Sequence, residues 1–295
     1  MGVGCNHPCH GYHPNMRKVS HAKVSLDFSK VTFLSFFILF SLWAGRIEAL
    51  DVWVTNPWLA MLTRFIGGVQ VTVHPVVTWG EKGQPVKART VPPPGAIVFS
   101  VVRGEGVRLL GKGFEEKYSN FSLLEKPPFA FDFEESFLDP ATLPFIGLRT
   151  LQILSACDSG EYEYFQRRLA EFQARLDSTV IVGRNMIGGS PILDLCWKYG
   201  RWLQAVSGET VKPPAEVKER WSRSQALDIL DTALGEAKKQ GWIIVIDPWT
   251  PEAVREKIEG STRVIELSIP RIEDDIILFL YDHCLRIWDH LRRNS

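Results

Sequence analysis

The first part of the folded chain alternates between two short apolar runs and an amphipathic segment. The runs at 50–55 and 69–77 are rich in Val and Trp, which favour strands. Between them the apolar residues of 57–66 recur at helical spacing, and Gly67-Gly68 is a helix stop. The pattern predicts a β-α-β unit, in which the two strands run parallel.

The alternation continues along the chain. A loop rich in Gly, Lys and Pro at 80–94 precedes a nearly continuous apolar run at 96–102, which is typical of a strand covered on both faces of a parallel sheet. Residues 143–176 have a helical pattern with an interruption at 158–160. The remaining predicted elements are strands at 179–182, 242–246 and 263–267 and helices at 192–206, 224–240, 251–259 and 273–291.

Together these elements predict an α/β fold of two Rossmann-like lobes, each a mostly parallel sheet flanked by helices. A long connecting helix joins the lobes. We place the N-terminal lobe at 50–142, the connecting helix at 143–177 and the C-terminal lobe at 178–295.

An apolar block at 31–45 follows a basic stretch that ends at Lys30. A membrane-spanning helix needs roughly 20 apolar residues, so this block is short for a span but typical of an export signal. We predict a leader at 1–30 and a signal peptide at 31–49 that is cut after Ala49, which makes the folded part periplasmic or otherwise extracytoplasmic. An uncleaved membrane anchor is the alternative. Ile47 is the third residue before the predicted cleavage site, where signal peptides usually have a smaller side chain.

Charge and cysteine usage exclude several classes of protein. Residues 50–295 keep 29 of the 34 basic and 32 of the 34 acidic side chains, a formal charge of −3, which implies no nucleic-acid partner. Cys157, Cys196 and Cys284 are far apart and odd in number, which predicts small buried side chains and at most one disulfide. The Cys and His residues within 1–13 match no closed zinc-site spacing.

Six short motifs carry a resemblance to a known family. They are Thr55-Asn56-Pro57-Trp58-Leu59-Ala60, Phe65-Ile66-Gly67-Gly68, Arg103-Gly104-Glu105-Gly106, Phe137-Leu138-Asp139-Pro140, Ile246-Asp247-Pro248-Trp249 and Val264-Ile265-Glu266-Leu267. With the order of the elements, they resemble the substrate-binding proteins of metal-type ABC transporters, the periplasmic receptors for zinc or manganese. The resemblance spans about residues 51–290 and implies a two-lobed fold with a ligand cleft between the lobes.

The resemblance also implies a metal site that this sequence does not reproduce. The family holds its metal with His, Asp or Glu side chains at the mouth between the lobes. The corresponding positions here are Gln84, Glu135, Gly189 and Ser268. One carboxylate, one amide, a glycine and a serine cannot complete a tetrahedral zinc shell. We therefore expect a degenerate metal site and no cofactor.

Histidines at other positions do not readily replace the missing metal ligands. A metal site with unconventional ligands would have to use His74, Glu135 and Asp247, but a lone histidine on a strand is usually a satisfied polar group. His283 and His290 are seven residues apart on the last predicted helix, two turns from each other. We predict that both are surface or helix-end residues.

If the cleft persists without a metal, loops at the carboxyl ends of strands should line it. The residues selected in this way are Trp58, Trp79, Gln84, Arg103, Glu135, Arg184, Asn185, Asp247 and Trp249. Trp79 and Trp249 have two interpretations that the sequence does not separate. They stack on a ligand, or they fill the space that the metal and its histidines occupy in the family and join the lobes.

These observations predict an exported substrate-binding component of an ABC transporter, with an unknown small ligand and an inner-membrane permease as partner. The alternative is a periplasmic interaction protein that kept the scaffold without a transport ligand, and the third hypothesis is a metal receptor with unconventional ligands. Catalysis is not expected, because the sequence contains no Gly-x-Ser-x-Gly, His-Glu-x-x-His or phosphate-loop pattern.

Overall fold

The computed structural model describes residues 49–125 and 133–294. Residues 1–48, 126–132 and 295 lie outside this description. The predicted leader, and all of the predicted signal peptide except Ala49, are therefore outside the described residues.

The first half of the chain contains a parallel sheet. Four strands form it in the order β2 (Val71–Pro75), β1 (Leu50–Val54), β5 (Ile97–Val102) and β6 (Ser119–Leu124), and every neighbouring pair is parallel. The elements are β1 (Leu50–Val54), α1 (Pro57–Gly67), a 3-10 turn (Gly68–Gln70), β2 (Val71–Pro75), β3 (Val77–Trp79), β4 (Pro85–Lys87), β5 (Ile97–Val102), α2 (Glu105–Leu110), α3 (Phe114–Lys117), β6 (Ser119–Leu124) and α4 (Phe133–Ser136).

Local side-chain chemistry sets both ends of helix α1. The Asn56 Oδ1 atom accepts hydrogen bonds from the backbone amides of Trp58 and Leu59 at 2.9 and 3.2 Å, and Pro57 suits the first turn of a helix. The helix ends before Gly68, whose φ of +53° favours glycine. This start places Trp58 just beyond the carboxyl end of β1.

The predicted loop at 80–94 contains a short strand that its sequence pattern did not indicate. Strand β4 pairs antiparallel with β3, so that Trp79 lies opposite Pro85. The backbone amide of Gly80 donates a hydrogen bond of 2.8 Å to the carbonyl oxygen of Gln84, which closes the hairpin. Gly83 lies within this turn.

The connecting segment is two helices. Helix α5 (Leu143–Cys157) and helix α6 (Tyr162–Ile187) are separated by a 3-10 turn at Ser159–Glu161, so the predicted interruption is confirmed. The predicted strand at 179–182 is wrong, because α6 continues through it.

Burial explains why the helix continues. The β-branched run at 179–182 favours a strand locally, yet Leu176, Thr179, Gly183 and Ile187 are buried at helical spacing. The Thr179 hydroxyl also donates to the carbonyl oxygen of Arg175 at 2.8 Å, a bond made within a helix. Packing of one helix face outweighs the local preference.

The second half contains a smaller parallel sheet with the order β7 (Ile192–Asp194), β8 (Ile243–Ile246) and β9 (Val264–Glu266). The predicted helix at 192–206 is partly wrong, because its first residues form a strand. The elements are β7 (Ile192–Asp194), α7 (Gly200–Ser207), α8 (Ala215–Ser222), α9 (Leu227–Gln240), β8 (Ile243–Ile246), α10 (Glu252–Ile258), β9 (Val264–Glu266) and α11 (Ile276–Asn294).

One apolar core runs through both halves. It includes Phe99 of the first sheet, Phe172 of α6, Leu203 of α7 and Val245 of the second sheet. Helix α11 packs along α6. The carboxyl ends of the two sheets thereby face a shared junction. Among the described helices, none is both long and apolar enough to cross a membrane.

Candidate functional site

Predicted cleft residues from both halves meet at the junction. The rings of Trp58 and Trp79 lie edge to face, 4.7 Å apart between centroids. From the second half, the Trp249 indole Nε1 donates a hydrogen bond of 2.8 Å to the carbonyl oxygen of Gly83. Trp249 therefore connects the second half to the hairpin turn of the first.

Tyr199, which is not among the predicted cleft residues, contacts rings from both halves. Its ring centroid lies 6.4 Å from that of Trp58 and 5.4 Å from that of Trp249. Its hydroxyl donates to the carbonyl oxygen of Ser268 at 2.9 Å. Burial raises the pKa of Tyr199 well above its usual value, so the hydroxyl keeps its proton and remains a donor.

Helix α11 adds two more rings. The ring of His283 lies 4.7 Å from that of Tyr199 and 4.4 Å from that of Phe279, and the Phe279 ring lies 6.3 Å from that of Trp58. The prediction that His283 is a surface or helix-end residue is wrong, because its exposed fraction is 0%. We call the six residues Trp58, Trp79, Tyr199, Trp249, Phe279 and His283 the aromatic junction.

Burial gives His283 an unusual titration. Its pKa falls from 6.5 to about 3, first because the ring is buried and second because of the positive charge of Arg286. Asp282 and the backbone of Ser268 act weakly in the opposite direction. The imidazole is neutral at physiological pH. It therefore packs as a polar aromatic ring and not as a cation.

Asp247 organises the loops that carry the junction. Its Oδ2 accepts from the backbone amides of Lys198 and Tyr199 at 2.6 and 3.2 Å. Its Oδ1 accepts from the Trp249 amide and the Thr250 hydroxyl, each at 3.1 Å. The carboxylate lies at the carboxyl end of β8, as predicted, but both oxygens are already occupied. Its contacts are those of a residue that positions Tyr199 and Trp249.

A second buried carboxylate lies on the neighbouring strand. Asp194 Oδ1 accepts from the Cys196 amide at 2.9 Å. Burial raises the pKa of both Asp194 and Asp247, and the positive charge of Lys218 opposes the rise in each. The Lys218 ammonium donates to the carbonyl oxygen of Cys196 at 2.6 Å. This network supports the strand ends beneath the aromatic junction.

Two acidic residues of the short helix α4 face basic residues of the second half. The Lys198 Nζ lies 2.9 Å from Glu134 Oε2, and the Arg201 Nε lies 4.0 Å from Glu135 Oε2. Both pairs are partly exposed, and such pairs contribute about 0–1 kcal/mol each. Glu135 therefore lies beside a guanidinium of the second half.

Gln84 and Arg103 make polar contacts of their own. Gln84 is exposed in the hairpin turn, where its Oε1 accepts from the Lys82 amide at 3.0 Å. Arg103 lies 3.5 Å from Glu125 at a separate polar pocket of about 360 Å³.

Arg184 and Asn185 do not lie at a strand end, so their predicted placement is wrong. Both are exposed on helix α6, because the strand predicted before them is part of that helix. The Arg184 Nε donates to the carbonyl oxygen of Ala205 at 2.7 Å. This bond fastens α6 to α7 instead of reaching the junction.

The positions considered for a metal do not converge. His74 stacks on Trp53 at 4.8 Å and its Nε2 lies 2.8 Å from Asp51 Oδ1, so it is satisfied on its own strand pair. Gly189 follows α6 with a φ of +74°. Within residues 49–125 and 133–294, no group of three or more His, Cys, Asp or Glu side chains is arranged to hold a metal ion.

A sequence signal existed for the missed ring of His283. Ile276, Leu280, His283 and Ile287 recur at helical spacing and are all buried, so the apolar stripe of α11 runs through the histidine. Tyr199 had no comparable signal, because its position depends on a loop held by Asp247.

Solved structures share this architecture. ZnuA matches with a TM-score of 0.58 at 13% identity, covering 82% of this chain and 99% of that one. The substrate-binding protein FpvC of Pseudomonas aeruginosa, solved with Mn²⁺, matches with a TM-score of 0.57 at 13% identity over 84% and 100%. The periplasmic zinc-binding protein TroA of Treponema pallidum matches with a TM-score of 0.53 at 13% identity over 83% and 99%.

These likenesses show that the chain has the two-lobed fold of the metal-type periplasmic binding proteins, as its motifs predicted. No protein-family model matches the sequence. No curated protein is similar enough in sequence to match.

Proposed function

We propose that the chain is an exported substrate-binding component of an ABC transporter that uses the scaffold of the zinc and manganese receptors without their metal site. The observation that carries the proposal is the fold. Two parallel sheets present their carboxyl ends to one junction, which is where ligands of open α/β sheets bind. The solved structures of this fold include the substrate-binding protein FpvC in complex with Mn²⁺ and the periplasmic zinc-binding protein TroA.

The side chains at the junction support an organic ligand better than a bare divalent cation. A cation needs several free oxygen or nitrogen ligands, whereas both oxygens of Asp247 already accept hydrogen bonds and Glu135 faces Arg201. Trp79 and Trp249 are half-buried, and indole rings of this kind bind planar or aliphatic groups well.

The proposal is tested by capturing the transporter. The protein carrying a C-terminal affinity tag is expressed in its native host, crosslinked in intact cells, and purified from membranes for identification by mass spectrometry. An ABC permease is the expected crosslinked partner, with its gene beside the gene for this protein. Recovery of no permease, with no permease gene nearby, would reject the receptor function.

A second candidate function is a periplasmic interaction protein without a transport ligand. The contacts across the junction favour it, because Trp249 bonds to the turn of the opposite half and Lys198 pairs with Glu134. A receptor that opens and closes must break such contacts in each cycle.

Native mass spectrometry of the exported protein separates the two candidates. A small molecule bound at one equivalent supports the receptor. A ligand-free protein that gains mass by forming a complex in periplasmic extract supports the interaction protein, whereas no small molecule and no complex would argue against both candidates.

A further inference from the structure

A cavity of about 480 Å³ opens on the second half, away from the aromatic junction. It lies between the last turns of α9 and α10, where residues just before β8 and β9 complete its wall. Strand β8 begins at Ile243 and Asp247 follows its other end. The cavity is therefore at the amino edge of the sheet, and the junction is at the carboxyl edge.

The inner wall of the cavity is apolar. Ile244 and Ile258 are buried there, and Leu234 and Trp242 are half-buried beside them. A volume of this size lies within the range of small-molecule sites, which is roughly 300–1,000 Å³. The wall fits a flat or aliphatic organic body.

The rim carries more positive than negative charge. Lys238, Lys257 and Arg263 line it together with Glu259. Lys257 is already paired, because its Nζ lies 2.8 and 2.7 Å from the two carboxylate oxygens of Asp231. The ammonium of Lys238 and the guanidinium of Arg263 therefore remain as the cations available to a ligand.

Arg263 is held in position by the end of helix α9. The helix ends at Gly241, whose φ of +69° favours glycine, and the Gly241 carbonyl oxygen accepts a hydrogen bond from Arg263 Nη1. A guanidinium has five N–H donors, so this bond leaves others for a ligand. A fixed guanidinium loses less conformational entropy on binding than a free one.

The helix dipoles limit the charge of the ligand. Helices α9 and α10 both direct their carboxyl ends toward the cavity, and these ends carry partial negative charge. Glu259 adds a full negative charge at the rim. A phosphate or another multiply charged anion would be repelled by these groups, whereas a single carboxylate or sulfonate can reach Lys238 and Arg263.

We propose that this cavity binds a small organic monoanion, with its aromatic or aliphatic body against Trp242 and its anionic group between Lys238 and Arg263. Such a site is independent of the function assigned to the junction. Binding involves no covalent step.

The test uses 8-anilinonaphthalene-1-sulfonate, an aromatic monoanion whose fluorescence rises in apolar sites. It is titrated into the full chain and into Lys238→Gln and Arg263→Gln variants. We expect each variant to bind about tenfold more weakly, as for loss of one charge-assisted hydrogen bond. Lys239→Gln is the matched control, because Lys239 is the next residue of α9 and faces Glu236 without lining the cavity.

Competition identifies the ligand class. Benzoate should displace the probe from the wild-type protein, while neutral benzyl alcohol should displace it far less. Equal affinity in the wild type and both variants, or equal loss in Lys239→Gln, overturns the proposed site. Stronger displacement by inorganic phosphate than by benzoate overturns the monoanion assignment. Circular dichroism spectra of the variants verify that each one is folded.

Discussion

The indole nitrogen of Trp249 lies 2.8 Å from the carbonyl oxygen of Gly83, a hydrogen bond between residues 166 positions apart in the chain. The two residues belong to opposite halves of the fold, and the nitrogen-bearing edge of the indole faces Gly83. A side chain on Gly83 would meet the indole, because a Cβ placed there lies 2.7 Å from Trp249 Cε2.

Gly83→Ala should destabilise the protein more than Gly95→Ala. Both glycines have positive φ, +75° and +83°, so both substitutions carry a backbone cost of about 1–2 kcal/mol. Only Gly83→Ala also displaces Trp249, which adds about 1–3 kcal/mol, since a Cβ at Gly95 has no neighbour within 4 Å. Urea unfolding followed by circular dichroism measures the difference. Equal losses would mean that the Trp249 contact contributes nothing.

Asp247→Asn should lower the free energy of unfolding by about 2–4 kcal/mol. The asparagine side chain would turn an NH₂ group toward backbone N–H groups that now donate hydrogen bonds to the carboxylate. Glu256→Gln is the control, an exposed carboxylate on α10 whose loss should matter by less than about 0.5 kcal/mol. The same urea titration serves both variants. A wild-type stability in Asp247→Asn would show that Asp247 does not organise the loops.

His283 should make the protein sensitive to acid. Its pKa is about 3 in the folded protein and 6.5 as the ordinary value, so the unfolded chain binds the proton first. The stability that a neutral His283 contributes is complete above pH 6.5 and is lost as the pH falls from 6.5 toward 3. Between pH 7 and pH 4.5 this loss amounts to about 2–3 kcal/mol.

A His283→Leu variant isolates this effect. Its unfolding free energy should fall by about 2–3 kcal/mol less than that of the wild type between pH 7 and pH 4.5. The buried carboxyls Asp194 and Asp247 have raised pKa values, and they titrate in the opposite sense. They do so in both proteins, so they cancel in the comparison. Identical pH profiles would contradict the assignment to His283.

Metal binding should be weak. Gln84, Glu135, Gly189 and Ser268 stand where the resemblance expects ligands. Zinc or manganese should bind no more tightly than about micromolar, near −8 kcal/mol, rather than at the nanomolar level of about −12 kcal/mol. Calorimetric titration of tag-free protein with a chelator competitor is the measurement. One equivalent of nanomolar metal that is lost in Glu135→Ala or Asp247→Ala would restore a metal receptor with unconventional ligands.

Export should remove the N-terminal segment. The apolar block at 31–45 and the small residue Ala49 predict a chain that begins at or near Leu50. Intact-mass analysis of protein recovered from the native host determines the N-terminus. A full-length chain found in the cytoplasm would argue against both the compartment and the receptor function.

Most helices and strands could be predicted from the sequence. The helix that starts at Pro57 and the break at 158–160 follow from a proline, a cap and a loss of apolar periodicity, all of which act over a few residues. The strand predicted at 179–182 was wrong, because the β-branched residues there favour a strand only locally. Burial of every third or fourth residue along α6 shows that packing over a longer stretch decided the outcome.

The sequence by itself placed Trp58, Trp79, Asp247 and Trp249 at or just after strand ends, although the same reasoning misplaced Arg184 and Asn185. Only the tertiary structure decided what they touch. The bond from Trp249 to Gly83 requires both halves to pack on one core. The insertion of His283 beside Tyr199 requires α11 to return along α6. Such contacts depend on the distance between elements far apart in the chain, which no local periodicity encodes.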